Sequence, residues 1–127
     1  MSPLSIRLGG LVDVSVLSHN QEVGRRYVDD QRNHMSLHTK LLLEMMKCSK
    51  ETFDKPLKVT CPCYVAVGDQ DKIVSCSAIE DYFTTVEKSF KVKVFSEGYH
   101  ELHNEIERIR DPYLSFLKES LSVAPAP

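Results

Sequence analysis

Apolar residues change their spacing several times along this chain, and each change predicts an element. Cys63-Tyr64-Val65-Ala66-Val67 is an uninterrupted run between Pro62 and Gly68. Such a run predicts a strand buried on both faces of a parallel sheet, where neither face is left to water. Lys91 to Phe95 alternates polar and apolar side chains instead, which predicts a half-exposed strand near a sheet edge. Between them, Ile79, Tyr82, Phe83 and Val86 recur at helical spacing, with Ser77 to Glu80 offering a capping box at the start. Ile106, Ile109, Leu114 and Leu117 supply a closing helix. Asp111-Pro112 within it reads as an N-cap followed by proline at the first helical position, so a break or kink is expected there.

Upstream, Val23 and Tyr27 share one helical face, and after the polar stretch 29–33 the residues Leu37, Leu41, Met45 and Cys48 follow at the same period. Ser36 is the expected N-cap of that second helix, and Asp54-Lys55-Pro56 the breaker that ends it. Core packing is the first expectation for Leu41, Leu42, Leu43, Met45 and Met46, with cover for an acyl-chain tunnel as the alternative. Residues 1–20 carry no assignable pattern beyond a turn at Gly9-Gly10. The Ala-Pro tail from Val123 is expected to be disordered.

Bulk properties narrow the possibilities. A chain of 127 residues fits one domain and can bury roughly two-thirds of its unfolded surface. Its net charge of −2 gives no basic field for nucleic acid. No apolar run reaches the roughly 18 residues of a membrane span, and Met1 to Gly10 lacks the layout of a secretory signal. A cytoplasmic protein is therefore expected. Cys48, Cys61, Cys63 and Cys76 are scattered and are read as reduced, structural thiols. Cys61-Pro62-Cys63 has one intervening residue, which suits neither a redox pair nor the common zinc spacing.

Candidate chemistry lies in two polar loops, because functional groups in a parallel α/β sheet project from the carboxyl ends of strands. One loop is Gly68 to Val74, with Asp69 and Asp71, and the other is Ser96 to Glu105, with His100 and His103. A carboxylate and an imidazole on adjacent strand ends can form the acid–base part of a catalytic triad. Plainer alternatives stand beside each: Asp71, like Asp69, suits a turn cap after Gly68, and a loop histidine is commonly just that. His100, His103 and Glu105 also invite a metal reading. Their order, H-E-L-H on a loop, is not the helical H-E-x-x-H that places two imidazoles one turn apart, so no metal is expected. Glu105 is expected to accept from loop amides or to cap the closing helix.

The stretch Cys61 to Glu105, a P-x-strand-GxxDxxV block followed by G-Y-H-x-L-H-x-E, resembles the monoacylglycerol lipase and lysophospholipase branch of the α/β-hydrolases, grouped with the serine aminopeptidase-like hydrolases. More weakly, the resemblance reaches upstream over Val16 to Met46, which looks like the family's cap, and downstream to Leu121. It implies an α/β chain forming the C-terminal portion of the α/β-hydrolase fold, with parallel strands, crossover helices and part of the helical cap. On that footing residues 1–55 are partial cap and following helices, 56–122 the C-terminal βαβα part of the core, and 123–127 a tail. The family's triad acid lands on Asp71 and its general base on His100. The implied activity is cleavage of a lipid carboxylic ester through an acyl-enzyme, without a cofactor. Peripheral membrane contact through the cap and self-association through an exposed sheet edge are further expectations.

Two departures accompany the match. Asp30-Gln31-Arg32 stands where the family carries Asp-Pro-Leu. No G-x-S-x-G nucleophile elbow occurs in these residues. Since the fold orders its triad as serine, acid, histidine, the serine and the oxyanion-hole loop are expected upstream of Met1, and this chain alone is expected to be inactive. The alternative is a non-catalytic binding or regulatory remnant of the same fold.

Overall fold

A computed structural model describes residues 6–10, 13–34 and 36–122, so the expectation for the Ala-Pro tail lies outside the described residues. In chain order the elements are strand β1 (Arg7–Gly9), helix α1 (Gln21–Asp29), strand β2 (Ser36–His38), helix α2 (Thr39–Phe53), strand β3 (Cys63–Gly68), helix α3 (Cys76–Thr85), strand β4 (Phe90–Phe95) and helix α4 (Glu107–Ser122). Short 3₁₀ turns at Val14–Val16 and Leu102–Asn104 complete them. β1 and β2 pair antiparallel, with Arg7 opposite His38. β3 and β4 pair parallel and in register from Cys63 opposite Phe90 to Gly68 opposite Phe95, with α3 as the crossover that parallel neighbours require.

The core forms where α4 lies across one face of this parallel pair. Phe95, Leu102 and Ile109 are buried, and Ala66, Ile106, Tyr113 and Phe116 pack around them. Phe95 meets Tyr113 and Phe116 edge-on, each at 5.8 Å between ring centroids. Burying each of the three central side chains stabilises the fold by about 1.5–3 kcal/mol. On the opposite face Phe83 of α3 packs against Phe90, and the Tyr82 hydroxyl donates to the Lys55 carbonyl at 2.9 Å. α3 thereby holds the segment that follows α2.

Several local expectations are corrected. Ser36 is no N-cap: it lies in β2, and α2 begins at Thr39 after His38, because main-chain pairing with β1 claims residues 36–38. The cap of α3 is Ser75, whose hydroxyl accepts from the Ala78 amide at 3.2 Å. Ser77 lies two residues too late, inside the helix. α4 runs unbroken through Asp111 and Pro112, and proline's local effect is to withhold the amide that would have bonded the Arg108 carbonyl. β3 is only half-buried over Cys63–Ala66 and fully buried at Val67 and Gly68, since among the described residues its one partner strand is β4.

The core-packing expectation for α2 also fails, as that helix has no buried residue. Leu41, Leu43, Met45 and Met46 are more than half exposed. In the turn after α1, where the Asp-Pro-Leu departure falls, Asp30 accepts from the Arg32 amide at 3.0 Å and pairs with its guanidinium at 2.6 Å. The turn is closed here by this aspartate–arginine pair. The four cysteines are unbridged. Burial and the Cys61 thiol, 3.8 Å away, hold the Cys63 thiol above the usual range, in its protonated form.

Candidate active site

Both polar loops start where β3 and β4 end, and parallel pairing sets those ends side by side. Main-chain bonds then join them: the Asp69 amide donates to the Phe95 carbonyl at 3.1 Å, and the Gln70 amide to the Gly98 carbonyl at 3.0 Å. The Asp69 side chain accepts from the Glu97 amide at 2.7 Å. Glycine is required at the crossing. A Cβ on Gly68 would lie 2.1 Å from the Gly98 carbonyl oxygen, and one on Gly98 would lie 2.6 Å from Leu102 Cδ2. Glu97 takes the left-handed conformation (φ 59°), uncommon outside glycine, and its carboxylate is engaged by Arg108 of α4.

This close pass brings Asp71 and His100 together. His100 Nδ1 lies 2.8 Å from Asp71 Oδ2, with the Asp71 side chain 3% exposed and that of His100 36% exposed. Asp71 combines the roles weighed for it, since its other oxygen caps the turn by accepting from the amides of Ile73 at 2.8 Å and Val74 at 3.1 Å. Burial pushes the Asp71 carboxyl up, but the bond to His100 and the two amides together outweigh it and hold the group below the usual carboxylate range. An ionised carboxylate can only accept. It therefore selects the tautomer of His100 with hydrogen on Nδ1, leaving Nε2 as an acceptor for a hydroxyl proton.

The side chains weighed as a metal set are turned to separate partners. His100 goes to Asp71, His103 Nε2 to the Asn104 amide nitrogen at 3.2 Å, and Glu105 inward to His19. Glu105, 2% exposed, takes the amide-acceptor role expected of it, with bonds from Tyr99 at 2.9 Å and Ile106 at 3.2 Å. Sequence reasoning missed its remaining partners. The His19 amide (3.1 Å), His19 Nδ1 (3.0 Å) and the Ser18 hydroxyl (3.4 Å) all reach Glu105 from a segment that carries no pattern. Burial raises the Glu105 carboxyl, and the amide of Tyr99 with both bonds from His19 more than reverses this, so it too lies below the ordinary range.

A profile described as serine aminopeptidase, S33, matches residues 4–107. The chain belongs to that family. Two solved structures show the same fold. A monoacylglycerol lipase from Paleococcus ferrophilus superposes with a TM-score of 0.80 at 20% identity over 94% of this chain and 47% of that one. A soluble variant of monoglyceride lipase from Saccharomyces cerevisiae, in complex with a substrate analogue, gives 0.74 at 12% identity over 92% and 43%. This member of the serine aminopeptidase family therefore has an α/β-hydrolase architecture and spans less than half the length of the structures it matches. No protein with a curated functional description matches it. Among the described residues, no helix is long and apolar enough to cross a membrane.

Proposed function

We propose that this chain supplies the acid and the base of a serine hydrolase that cleaves carboxylic esters of the monoacylglycerol or lysophospholipid type. The nucleophilic serine comes from sequence outside these residues. In this reading residues 1–55 belong to the cap side and 56–122 to the catalytic core. The observation that carries it is the 2.8 Å contact of His100 Nδ1 with the buried carboxylate of Asp71.

The serine hydroxyl attacks the ester carbonyl while His100 Nε2 takes its proton. Asp71 stabilises the imidazolium that forms, and His100 returns the proton to the leaving glycerol-side oxygen. Water then repeats the sequence on the acyl-enzyme and releases the fatty acid. Each step uses only the charge state and tautomer that the Asp71 environment imposes. The lipase names of the two structural relatives support a lipid ester over a peptide as substrate.

The test is made on the native protein detected with an antibody to the C-terminal residues. The same band is expected to react with a fluorophosphonate probe, and Asp71→Asn in that protein is expected to lower turnover by about 10⁴ with substrate binding retained. A band that does not react, or a variant with near-normal turnover, removes this function.

A further inference from the structure

A fully buried carboxylate is tolerable only when donors surround it. Glu105 has them, and their origin matters more than their number. One, the Tyr99 amide at 2.9 Å, belongs to the residue immediately before His100. Others come from His19, through its amide at 3.1 Å and its Nδ1 at 3.0 and 3.1 Å from the two carboxylate oxygens. The His19 ring also stacks on Tyr99, with centroids 3.8 Å apart and planes 28° off parallel. On the other side of His100, the Glu101 amide donates to the Leu17 carbonyl at 2.8 Å.

His100 is thus the middle residue of three, with both neighbours fastened to residues 17–19 and its own ring to Asp71. We infer that Glu105 is a positioning residue for His100, working with His19 as a second carboxylate–imidazole pair that fixes the main chain leading into the base, while the Leu17 carbonyl holds the chain leaving it. This inference rests on the proposed role of His100. The geometric argument is one of tolerance. Releasing Tyr99 frees the chain leading into His100, and a drift of about 1 Å takes a hydrogen bond at the short end of the range beyond its limit. Asp71, held by two amides of its own loop, does not follow.

The experiment is NMR on the isotope-labelled full chain, which needs no turnover. It reads solvent exchange of the His100 Nδ1 proton and the titration of the Asp71 carboxyl carbon, with the β3–β4 ladder amides as a control for folding. In Glu105→Gln, Nδ1 exchange is expected to quicken by about tenfold or more. The Asp71 midpoint is expected to rise by about half a pH unit as its imidazole partner is partly lost. The ladder amides keep their protection.

His19→Phe retains a ring against Tyr99 and removes the donor to Glu105. It is expected to move both readouts in the same direction by a smaller amount, and it decides the matter should Glu105→Gln fail to fold. Asp71→Ala, which removes the acceptor, provides the reference and must abolish the slow Nδ1 exchange. If it does not, the Asp71–His100 pairing fails, and the proposed function and this inference fall together. If it does, while His100 and Asp71 are unmoved in Glu105→Gln and His19→Phe, Glu105 merely holds two segments together and only the positioning role is overturned.

Discussion

Helix α2 and the loop cluster around Glu105 are stabilised in opposite ways. α2 carries Leu41, Leu42, Leu43, Met45 and Met46 close together in its first half, yet none of its residues is buried. The cluster of residues 17–19, 68–74 and 97–105 is mostly polar, yet it contains the fully buried Glu105 side chain and the nearly buried Asp71. Apolar content decides burial only when a complementary surface is present. Hydrogen-bonding groups generate their own surface by converging, as five donor contacts from residues 18, 19, 99 and 106 do on one carboxylate. In this molecule precision of placement is concentrated at the strand ends, where the chemistry is proposed, and not in its leucine- and methionine-bearing helix α2.

The contrast breaks most severely at its centre. Glu105→Ala leaves the donors of Tyr99, His19 and Ile106 facing a void, and is expected to lower stability by about 3–5 kcal/mol in urea unfolding. A loss under 1 kcal/mol would mean that the cluster closes over without its carboxylate. Next comes Gly68→Ala, which drives a methyl group into the main chain of Gly98 and Tyr99. It is expected to cost about 1–3 kcal/mol and to part the two loops, seen as loss of the Asp71–His100 bond in the spectrum.

Acid discriminates between the regions as well. Asp71 and Glu105 both lie below their ordinary values in the folded state. Their contribution is therefore complete above the unfolded-chain values of about 3.9 and 4.3, and it is lost as pH falls from there through the folded values. The urea midpoint is expected to fall between pH 6 and pH 3, and less so in Glu105→Gln. Equal slopes in the two proteins would remove Glu105 from the acid response. The smallest effect belongs to α2: Leu43→Gln and Met46→Gln, at 65% and 62% exposed positions, are expected to change stability by less than about 0.5 kcal/mol each.

Legibility in the sequence follows the same division. β3, α3, β4 and α4 were readable because their patterns are local: an apolar run, an alternation and two helical periods. The two loops that carry Asp71 and His100 could be paired beforehand because each follows a strand and the strands are parallel neighbours, whereas the choice of Asp71 over Asp69 and of His100 over His103 came from the family resemblance. The antiparallel pairing of Arg7–Gly9 with Ser36–His38 left no trace, since a three-residue strand is too short to display alternation. Ser75 was passed over as a cap because Ala78, not a glutamate, stands three residues on. His19 was invisible for a different reason. Its partner lies 86 residues away, and no spacing rule spans that distance.

Because the Gly68 and Gly98 loops meet through backbone atoms, the relative location of residues 71 and 100 is largely independent of the solvent-facing side chains between them. Gln70, Lys72 and Ser96 are exposed on these same segments. Substituting them would reshape the rim of these loops without relocating the imidazole.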